Sequence, residues 1–468
     1  MSKIVKIIIV LDLLIINVAI LNAQKITWQK EYPKLFDVEG STVTETFDKC
    51  FLMSGQTKYQ PGKFLVLKVN TYGDTVWSRL LVGEYCSSIL QLKDSNILIT
   101  GGIDGQPIAY KISNNGSILW EKTYLTEYSS GLIWSLELEN NNLVLFGNIL
   151  KPGKSITFAI RTNSSGDSIS TKYLDITNGT GNISYFNEKQ LLLSGSRLSP
   201  SVAVLTDFEG DLIKNSGQFF YLGTANSVTS HFYFIKDTVL NSFRAIIVTK
   251  TDSNFNIKLR RTVYFPFNNL HSFDIIETGS GILICGYVTN GLNDNPNSFL
   301  LNLNSEIEVN WYREYKILNR YHYFENVIRS SDDGFLAVGS IGIEGDQVLS
   351  NLFGTKTDST GFANPLNCII STEQILLTNY LYQNYPNPFN SETIIRVFLN
   401  ANSSVRVNIY SLTGQNIYEH YYEKLLKGNY EMKFKPSSGI STGIYFYTFE
   451  IFDGIKTQIL TRKFVLIK

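Results

Sequence analysis

The sequence has few of the residues that carry most catalytic and metal chemistry. Its 468 residues include only 4 cysteines, 4 histidines and 3 methionines. No two cysteines have C-x-x-C spacing, which removes the usual redox and zinc motifs, and the histidines show no metal-ligand spacing. G-x-S-x-G, H-E-x-x-H, P-loop and G-x-G-x-x-G patterns are also missing, so the common hydrolase, metalloprotease and nucleotide-binding motifs are absent. We therefore predict no catalytic residue, no metal and no cofactor.

An excess of charge of one sign is missing as well. Lysine and arginine together number 41, aspartate and glutamate also number 41, and the formal net charge is zero. Proteins that bind nucleic acid need a basic stripe for the phosphates, and the sequence has no cluster of lysine and arginine of that kind. We predict that nucleic acid is not a partner.

Helical periodicity is the third absence. Outside the N-terminus no window keeps a 3.6-residue apolar period, whereas strand and turn formers are abundant, with 27 Tyr, 29 Phe and 34 Gly. This composition favours an all-β fold. Since 468 residues exceed what one hydrophobic core usually fills, we expect several domains or one large repetitive fold.

The N-terminus carries the longest apolar run, from Ile7 to Ile20, behind two lysines. We interpret residues 1–23 as a secretory signal peptide that is cleaved after Ala23. The alternative is an uncleaved membrane anchor, but about fourteen residues with an internal Asp12 are short for a span of about 20. We therefore predict that the mature chain passes through the periplasm.

The cysteines all lie in the part predicted to be exported, where disulfides are allowed. Four cysteines permit three pairings, and the sequence does not choose among them. Cys285 lies in the strand-like stretch LICG, so a buried free thiol is an alternative to a disulfide at that position. The four are Cys50, Cys86, Cys285 and Cys368.

An internal repeat organises most of the chain. A short apolar run ends in glycine at Gly55, Gly101, Gly147, Gly195, Gly286 and Gly339. The spacings are 46, 46, 48, 91 and 53 residues, and the double spacing contains a seventh copy, DTVLNSF. Each run is followed by a second strand, a glycine-containing tight turn, a third strand that often carries tryptophan, and a fourth, more polar strand.

Four short strands in a repeat of about 47 residues are typical of a β-propeller blade. Seven copies predict a seven-bladed propeller over residues 24–367. The last copy lacks its tryptophan strand, while ITWQKEY at Ile26 to Tyr32 matches the tryptophan strands of other copies. We therefore predict that this N-terminal strand completes blade seven, which removes two open sheet edges. A solenoid would instead need capping repeats at both ends.

From Leu381 the pattern changes, beginning with LYQNYPNPFN. The segment resembles the type A C-terminal sorting domain of the type IX secretion system, found in Bacteroidota and related phyla. It departs from the family at Ser391 and Asn400, where proline is common. The residues that match the family's motifs are Tyr385, Pro386, Asn387, Pro388, Phe389, Asn390, Gly414, Gly428, Gly443 and Tyr445.

This resemblance implies both a fold and a destination. Residues 380–468 are expected to form a small Ig-like sandwich of two sheets after a linker at 368–379. The expected partner is the outer-membrane type IX machinery, which would deliver the protein to the medium or the cell surface and remove the sorting domain. The alternative is an ordinary terminal Ig-like domain.

Aromatic residues mark a candidate ligand face on the propeller. They lie in or near the loops between blades, which open on one face together with the loops between the second and third strands. Flat aromatic faces with nearby amides suit an extracellular glycan or protein ligand. The alternative is that these rings pack between blades. The candidate residues are Tyr85, Tyr128, Phe220, Phe267 and Tyr321.

Three classes of function remain open. We favour a secreted or cell-surface, non-catalytic binding or adhesion propeller. A glycan-active enzyme is the second hypothesis, and it requires two or three carboxylates that converge on the central channel. A structural surface protein without a ligand is the third. Acids after turn glycines, Asp74, Asp167 and Asp211, could bind calcium, but we expect them to satisfy their own turns.

Overall fold

The computed structural model describes most of the chain. The described residues are 26–32, 38–57, 62–174, 179–196, 200–226, 229–240, 243–265, 267, 269–289, 295–317, 320–343, 346–364, 368–371, 379–381, 384, 387–399, 401–426, 428–437, 439–454 and 456–467. The predicted signal peptide and the first two residues of the sorting motif, Tyr385 and Pro386, lie outside them. Among the described residues, no helix is both long and apolar enough to span a membrane.

The first four blades are antiparallel sheets, and a separate strand, β1 (Trp28–Glu31), precedes them. Blade one comprises β2 (Val38–Glu45), β3 (Phe51–Thr57), β4 (Lys63–Val69) and β5 (Thr75–Val82). Blade two comprises β6 (Tyr85–Gln91), β7 (Ile97–Ile103), β8 (Gln106–Ile112) and β9 (Ile118–Thr123). Blade three comprises β10 (Ser130–Glu137), β11 (Leu143–Lys151), β12 (Lys154–Thr162) and β13 (Ser168–Leu174). Blade four comprises β14 (Asn182–Asn187), β15 (Gln190–Ser194), β16 (Ser201–Asp207) and β17 (Leu212–Phe220).

The last three blades follow the same order, and the prediction of seven blades is confirmed. Blade five comprises β18 (Leu222–Asn226), β19 (His231–Leu240), β20 (Phe243–Asp252) and β21 (Ile257–Phe265). Blade six comprises β22 (Asn269–Glu277), β23 (Gly281–Thr289), β24 (Asn297–Asn304) and β25 (Val309–Ile317). Blade seven comprises β26 (Arg320–Arg329), β27 (Phe335–Ile343), β28 (Asp346–Thr357) and β1.

The polar strand of each repeat is the innermost strand of a blade. The sequence pattern places it last in a repeat, where it leads into the next copy, and in the structure it is the first strand of the following blade, as with β6. The reason is solvation, because this strand faces the central channel and tolerates polar side chains. The next two strands lie between neighbouring blades and are almost entirely buried, as β7 is.

The N-terminal strand closes the ring, as predicted. Strand β1 pairs antiparallel with β28, and Trp28 lies opposite Lys356. Trp28 and Tyr32 are buried in an apolar cluster that also contains Val43 and Phe51 of blade one. The last blade is therefore built from both ends of the propeller sequence.

In blades whose outer strand carries a tryptophan, its indole N–H can join the blade to the next one. Trp77 Nε1 of blade one donates a hydrogen bond to the Asn114 carbonyl of blade two, at 3.0 Å. Trp28 Nε1 donates in the same way to the Thr71 carbonyl of blade one, at 2.9 Å. The junction that closes the ring thus repeats the junction between consecutive blades.

Two further side chains of the outer strand reach the same neighbouring turn. Tyr32, four residues after the tryptophan, donates its hydroxyl to the Gly73 carbonyl at 3.0 Å. Lys122 in blade two forms an ion pair with Asp167 in blade three, at 2.9 Å. At the equivalent position of the next junction, Lys172 of blade three forms an ion pair with Asp211 of blade four, at 2.7 Å.

The acids after the turn glycines therefore have a structural role. Asp74 accepts from Lys30, and its backbone N–H donates to Asn70 Oδ1 of its own turn at 2.9 Å. Asp167 has the corresponding contacts, with Lys122 and Asn163. Among the described residues, no group of three or more acids, histidines or cysteines is arranged to hold a metal ion.

The predicted linker begins with a strand. Strand β29 (Cys368–Ser371) pairs antiparallel with β25, so blade six has five strands. An outer strand offers unpaired backbone N–H and C=O groups, and an added strand satisfies them. The three other cysteines, Cys50, Cys86 and Cys285, are free, and Cys285 is fully buried.

The C-terminal unit consists of two antiparallel sheets around one apolar core. Its first sheet contains β30 (Tyr380–Leu381), β31 (Thr393–Leu399) and a third strand from later in the chain. Its second sheet contains β32 (Ser403–Ser411), β33 (Asn416–Leu425) and the last two strands. The remaining bounds are β34 (Gly428–Phe434), β35 (Gly443–Phe452) and β36 (Thr457–Leu466). The core takes residues from both sheets, including Val397 and Tyr447.

The described part of the sorting motif is held against the last strand. Phe389 is buried, and its ring packs edge-on against Phe464 with centroids 5.2 Å apart. Its N–H donates to the Val465 carbonyl at 3.1 Å, and its carbonyl accepts from Ile467 N at 2.8 Å. Asn387, whose peptide bond to Pro388 is cis, accepts from Val465 N at 2.8 Å. The motif therefore ties the start of the domain to its end.

Candidate ligand site in the central channel

The seven innermost strands surround a cavity of about 670 Å³. Its lining includes residues from every blade, and most of them are small or polar, such as Thr42, Ser88 and Thr224. Large side chains enter it from blades three, four and six, namely Trp134, Tyr185 and Phe273. We describe this channel as the candidate site because it brings aromatic and acidic side chains together in one concave space.

β-Bulges aim extra side chains into the channel. The register of six innermost strands shifts by one residue, at Ser41, Ser87, Ile133, Phe186, Phe273 and Glu325. Of these residues, Ser87, Ile133, Phe273 and Glu325 line the cavity. A bulge leaves one residue outside the ladder and re-aims its side chain, and bulges are frequent next to functional sites.

The bulge residue has different uses in different blades. Ser41 Oγ donates to the Cys86 carbonyl of the next blade at 2.9 Å, and Ser87 Oγ donates to the Leu132 carbonyl. Phe273 has no hydroxyl for such a bond, and an ionised Glu325 has no proton to donate. Blades six and seven thus place a ring and a carboxylate where blades one and two have a structural serine.

Three aromatic rings form what we call the channel triad: Phe273, which lines the cavity, and Tyr287 and Tyr323, which pack beside it. Their centroids are 5.9, 6.0 and 6.1 Å apart, and the Phe273 and Tyr323 planes differ by 22°. All three are partly exposed, and His271 lies beside Tyr287 at 4.8 Å. The triad belongs to blades six and seven, with Phe273 on β22, Tyr287 on β23 and Tyr323 on β26.

The channel lining is acidic. It contains the carboxylates of Asp274, Glu277 and Glu325, and the described lining residues include no lysine, arginine or histidine. Glu39 accepts a hydrogen bond from the Tyr323 hydroxyl at 3.3 Å. Burial is the main cause that raises the pKa of Tyr323, and the nearby charges of Glu39 and Glu325 raise it further.

Asp274 has a structural role in the channel wall. It accepts hydrogen bonds from Ile275 N at 2.8 Å, Val327 N at 3.1 Å and Asn326 Nδ2 at 2.7 Å. Asn326 in turn accepts from Val43 N at 3.0 Å, which links blades six, seven and one. Desolvation outweighs these hydrogen bonds and raises the pKa of Asp274 to about 6.

A second group of rings lies on blades three and four. Trp134 and Tyr185 are in edge contact at 5.1 Å, and Tyr185 contacts Phe208 at 5.9 Å. Tyr185 is 50% exposed. Trp134 and Tyr185 were not among the residues predicted from the sequence; the signal that could have indicated them is a large ring within the fourth strand of a repeat.

The predicted ligand face is only partly exposed. Phe220 and Phe267 are 6% and 5% exposed, because Phe220 stacks on Phe234 at 4.0 Å and Phe267 packs near Tyr312. These two residues do not belong to an exposed face, and for them the alternative of packing within the propeller is correct. The other three, Tyr85, Tyr128 and Tyr321, are partly exposed and remain candidates.

His322 is buried between strands and has no place in the site. Its Nδ1 lies 2.6 Å from Ser298 Oγ, and burial lowers the pKa of its imidazole to about 3. The ring is therefore neutral at physiological pH and serves packing.

Comparison with known proteins agrees with this architecture. The fold is a seven-bladed propeller followed by a small two-sheet domain. Residues 383–466 match the family described as the secretion system C-terminal sorting domain. The C-terminal unit is therefore a type IX sorting domain, and the protein is exported by that system to the cell surface or the extracellular space.

Three solved structures illustrate what the chain is similar to. The Dos1 propeller is 9% identical, with 71% of this chain and 94% of that chain covered and a TM-score of 0.46. Polysaccharide lyase Uly1 is 10% identical, with 72% of this chain and 93% of that chain covered and a TM-score of 0.46. YCF48 from Cyanidioschyzon merolae is 10% identical, with 70% of this chain and 98% of that chain covered and a TM-score of 0.43. Sequence identities and TM-scores this low give no information about the ligand or the activity of this chain. No curated protein sequence matches the chain.

Proposed function

We propose that this protein is a non-catalytic binding protein, secreted or held at the cell surface, that takes its ligand into the central channel at the channel triad. The observation that carries the proposal is the pair of bulges that turn Phe273 and Glu325 into the channel beside Tyr323. A bulge whose role was only to connect two blades would carry a hydrogen-bonding side chain such as Ser41 or Ser87, each of which donates to a carbonyl of the next blade.

The size and chemistry of the channel support binding. Ligand pockets usually enclose about 300 to 1,000 Å³ and combine apolar walls with a few polar groups that fix orientation. The cavity of about 670 Å³ has aromatic rings, hydroxyls, amides and carboxylates in its lining. Aromatic rings contribute large contact areas with little loss of conformational entropy.

The proposal is tested with the purified full chain on an array of glycans and host proteins. The variants are Phe273→Ala and Tyr323→Leu, and the control is Tyr173→Leu, which alters a ring that is 57% exposed on the outer strand β13. A ligand in the channel should lose at least about tenfold in affinity with the triad variants and little with the control. Ligands that bind all three variants like the parent would contradict the proposed site.

A glycan-active enzyme is the second candidate, because Asp274, Glu277 and Glu325 line one cavity. A carboxyl with a pKa of about 6 can serve as a general acid. Against this, both oxygens of Asp274 already accept hydrogen bonds from the protein. Release of new reducing ends from polysaccharides, abolished by Glu325→Gln, would favour the enzyme over the binding protein.

A further inference from the structure

We propose that the ligand of the channel is cationic: a lysine or arginine side chain of a peptide segment, with its charge over the channel triad and beside Glu325. This inference rests on the proposed function and adds the chemical class of the ligand. It predicts a protein or peptide partner, whereas the triad alone would also suit a neutral sugar.

Charge is the first argument. The lining includes three carboxylates and, among its described residues, no cationic side chain. Inside a concave, partly dry site, charges interact more strongly than in bulk water. An anionic ligand would therefore be repelled, and a cationic group would be attracted toward the wall formed by blades six and seven, which carry all three carboxylates.

The arrangement of the rings is the second argument. Aromatic faces carry negative electrostatic potential and attract cations within about 6 Å of the ring centroid. The triad centroids lie 5.9 to 6.1 Å from one another, so one cation above the group can interact with more than one ring. The planes of Phe273 and Tyr323 differ by only 22°, which suits a planar guanidinium.

The position of Glu325 is the third argument. It lies two residues after Tyr323, and its negative charge contributes to the raised pKa of the Tyr323 hydroxyl. Arg320, a cationic residue of the same strand, forms an ion pair with Glu31 at 2.9 Å and donates to the Gly342 carbonyl at 2.8 Å. Arg320 is therefore already engaged with Glu31 of the ring-closing strand.

The test uses the full chain and pentapeptides of sequence Gly-Gly-X-Gly-Gly, blocked at both ends and followed by calorimetry. X is arginine, lysine, citrulline, norleucine or glutamate. Citrulline keeps the shape of arginine without its charge, and norleucine does the same for lysine. We expect arginine and lysine peptides to bind at least about tenfold more tightly than their neutral analogues and the glutamate peptide to bind weakest.

Matched variants locate the effect. Glu325→Gln and Glu277→Gln remove the same charge from the same channel, but only Glu325 is beside the triad. The first should weaken the arginine peptide about tenfold and the second less than about threefold. Tyr323→Leu should abolish the preference for a cation, whereas Tyr323→Phe keeps the ring and should retain it. Thermal unfolding of each variant checks that the fold is intact.

The outcomes separate this inference from the proposed function. Equal binding of arginine and citrulline peptides, or equal effects of Glu325→Gln and Glu277→Gln, would overturn the cationic ligand. If the array identifies a neutral glycan that Tyr323→Leu releases, the binding function stands and the inference is wrong. If no array ligand responds to the triad variants, the proposed function is wrong as well.

Discussion

At the scale of single residues, Asp274 shows how one side chain serves the ring. Its carboxylate is bonded to blade seven, and through Asn326 the bonds continue to blade one. Desolvation nevertheless makes the charged form costly, which places its pKa near 6. The contribution of Asp274 to stability therefore depends on pH.

We predict the sign of that dependence. The pKa of Asp274 rises from 3.8 to about 6 on folding, so its contribution is fully present below pH 3.8 and is lost as pH rises through 6. Relative to Asp274→Asn, the parent should lose about 2 kcal/mol of unfolding free energy between pH 4.5 and 7.5. Urea unfolding of both proteins measures this, and a pH-independent difference would show that Asp274 has an ordinary pKa.

Gly73 supports a second prediction at this scale. It has a φ of 76°, and a Cβ there would lie 2.8 Å from the Trp28 ring. Gly62 is a matched control, with a φ of 77° and nothing within 4 Å of a Cβ. Alanine at either position costs about 1 kcal/mol for the backbone.

Only Gly73→Ala also displaces the ring that joins blade seven to blade one, which adds about 1 to 3 kcal/mol. Urea unfolding of the two alanine variants measures the difference. Equal losses of stability would mean that the tryptophan contact is not tight.

At the scale of elements, sequence predicted the strands better than it predicted the site. The repeat spacing was sufficient to predict seven blades, and the unpaired tryptophan strand at the N-terminus was sufficient to predict ring closure. The period fixes the length of a repeat but not its first strand, and the structure shows that each blade begins with the polar strand. Lys122 and Asp167, which form an ion pair, are 45 residues apart, which is about one repeat. The repeat therefore indicated this contact between blades, but the prediction considered only contacts within each turn.

The candidate site was harder to predict than the strands because β-bulges determine which side chains face the channel. Phe273 faces the channel only because the register of β22 shifts between Ser272 and Asp274. No alternation of polar and apolar residues indicates such a shift. Phe220 and Phe267 were selected for their position near loops, but burial depends on neighbours that are distant in sequence.

Ring closure can be tested at the level of its strands. Gln29 lies opposite Thr355 in the ladder, so Gln29→Cys with Thr355→Cys should form a disulfide. Gln29→Cys with Asn351→Cys is the control, since four residues along a strand are about 13 Å. Peptide mapping after oxidation distinguishes the two pairs. A bridge only in the control, or in neither pair, would contradict the register of β1.

At the scale of the whole molecule, the sorting domain determines where the propeller acts. We predict that a chain lacking residues 380–468 accumulates in the periplasm with a folded propeller. Immunoblots of periplasm, cell surface and medium measure this against the full-length chain. Equal amounts of both proteins outside the cell would contradict export through this domain.

The central claim is that an exported propeller binds its ligand at the channel triad. Hydrogen–deuterium exchange of the full chain, with and without the ligand that the array identifies, tests it most directly. The account predicts slower exchange in β22 and β26 when the ligand is bound, and no change in the outer strands β5 and β13. Protection confined to outer strands, or absent from β22 and β26, would contradict the account.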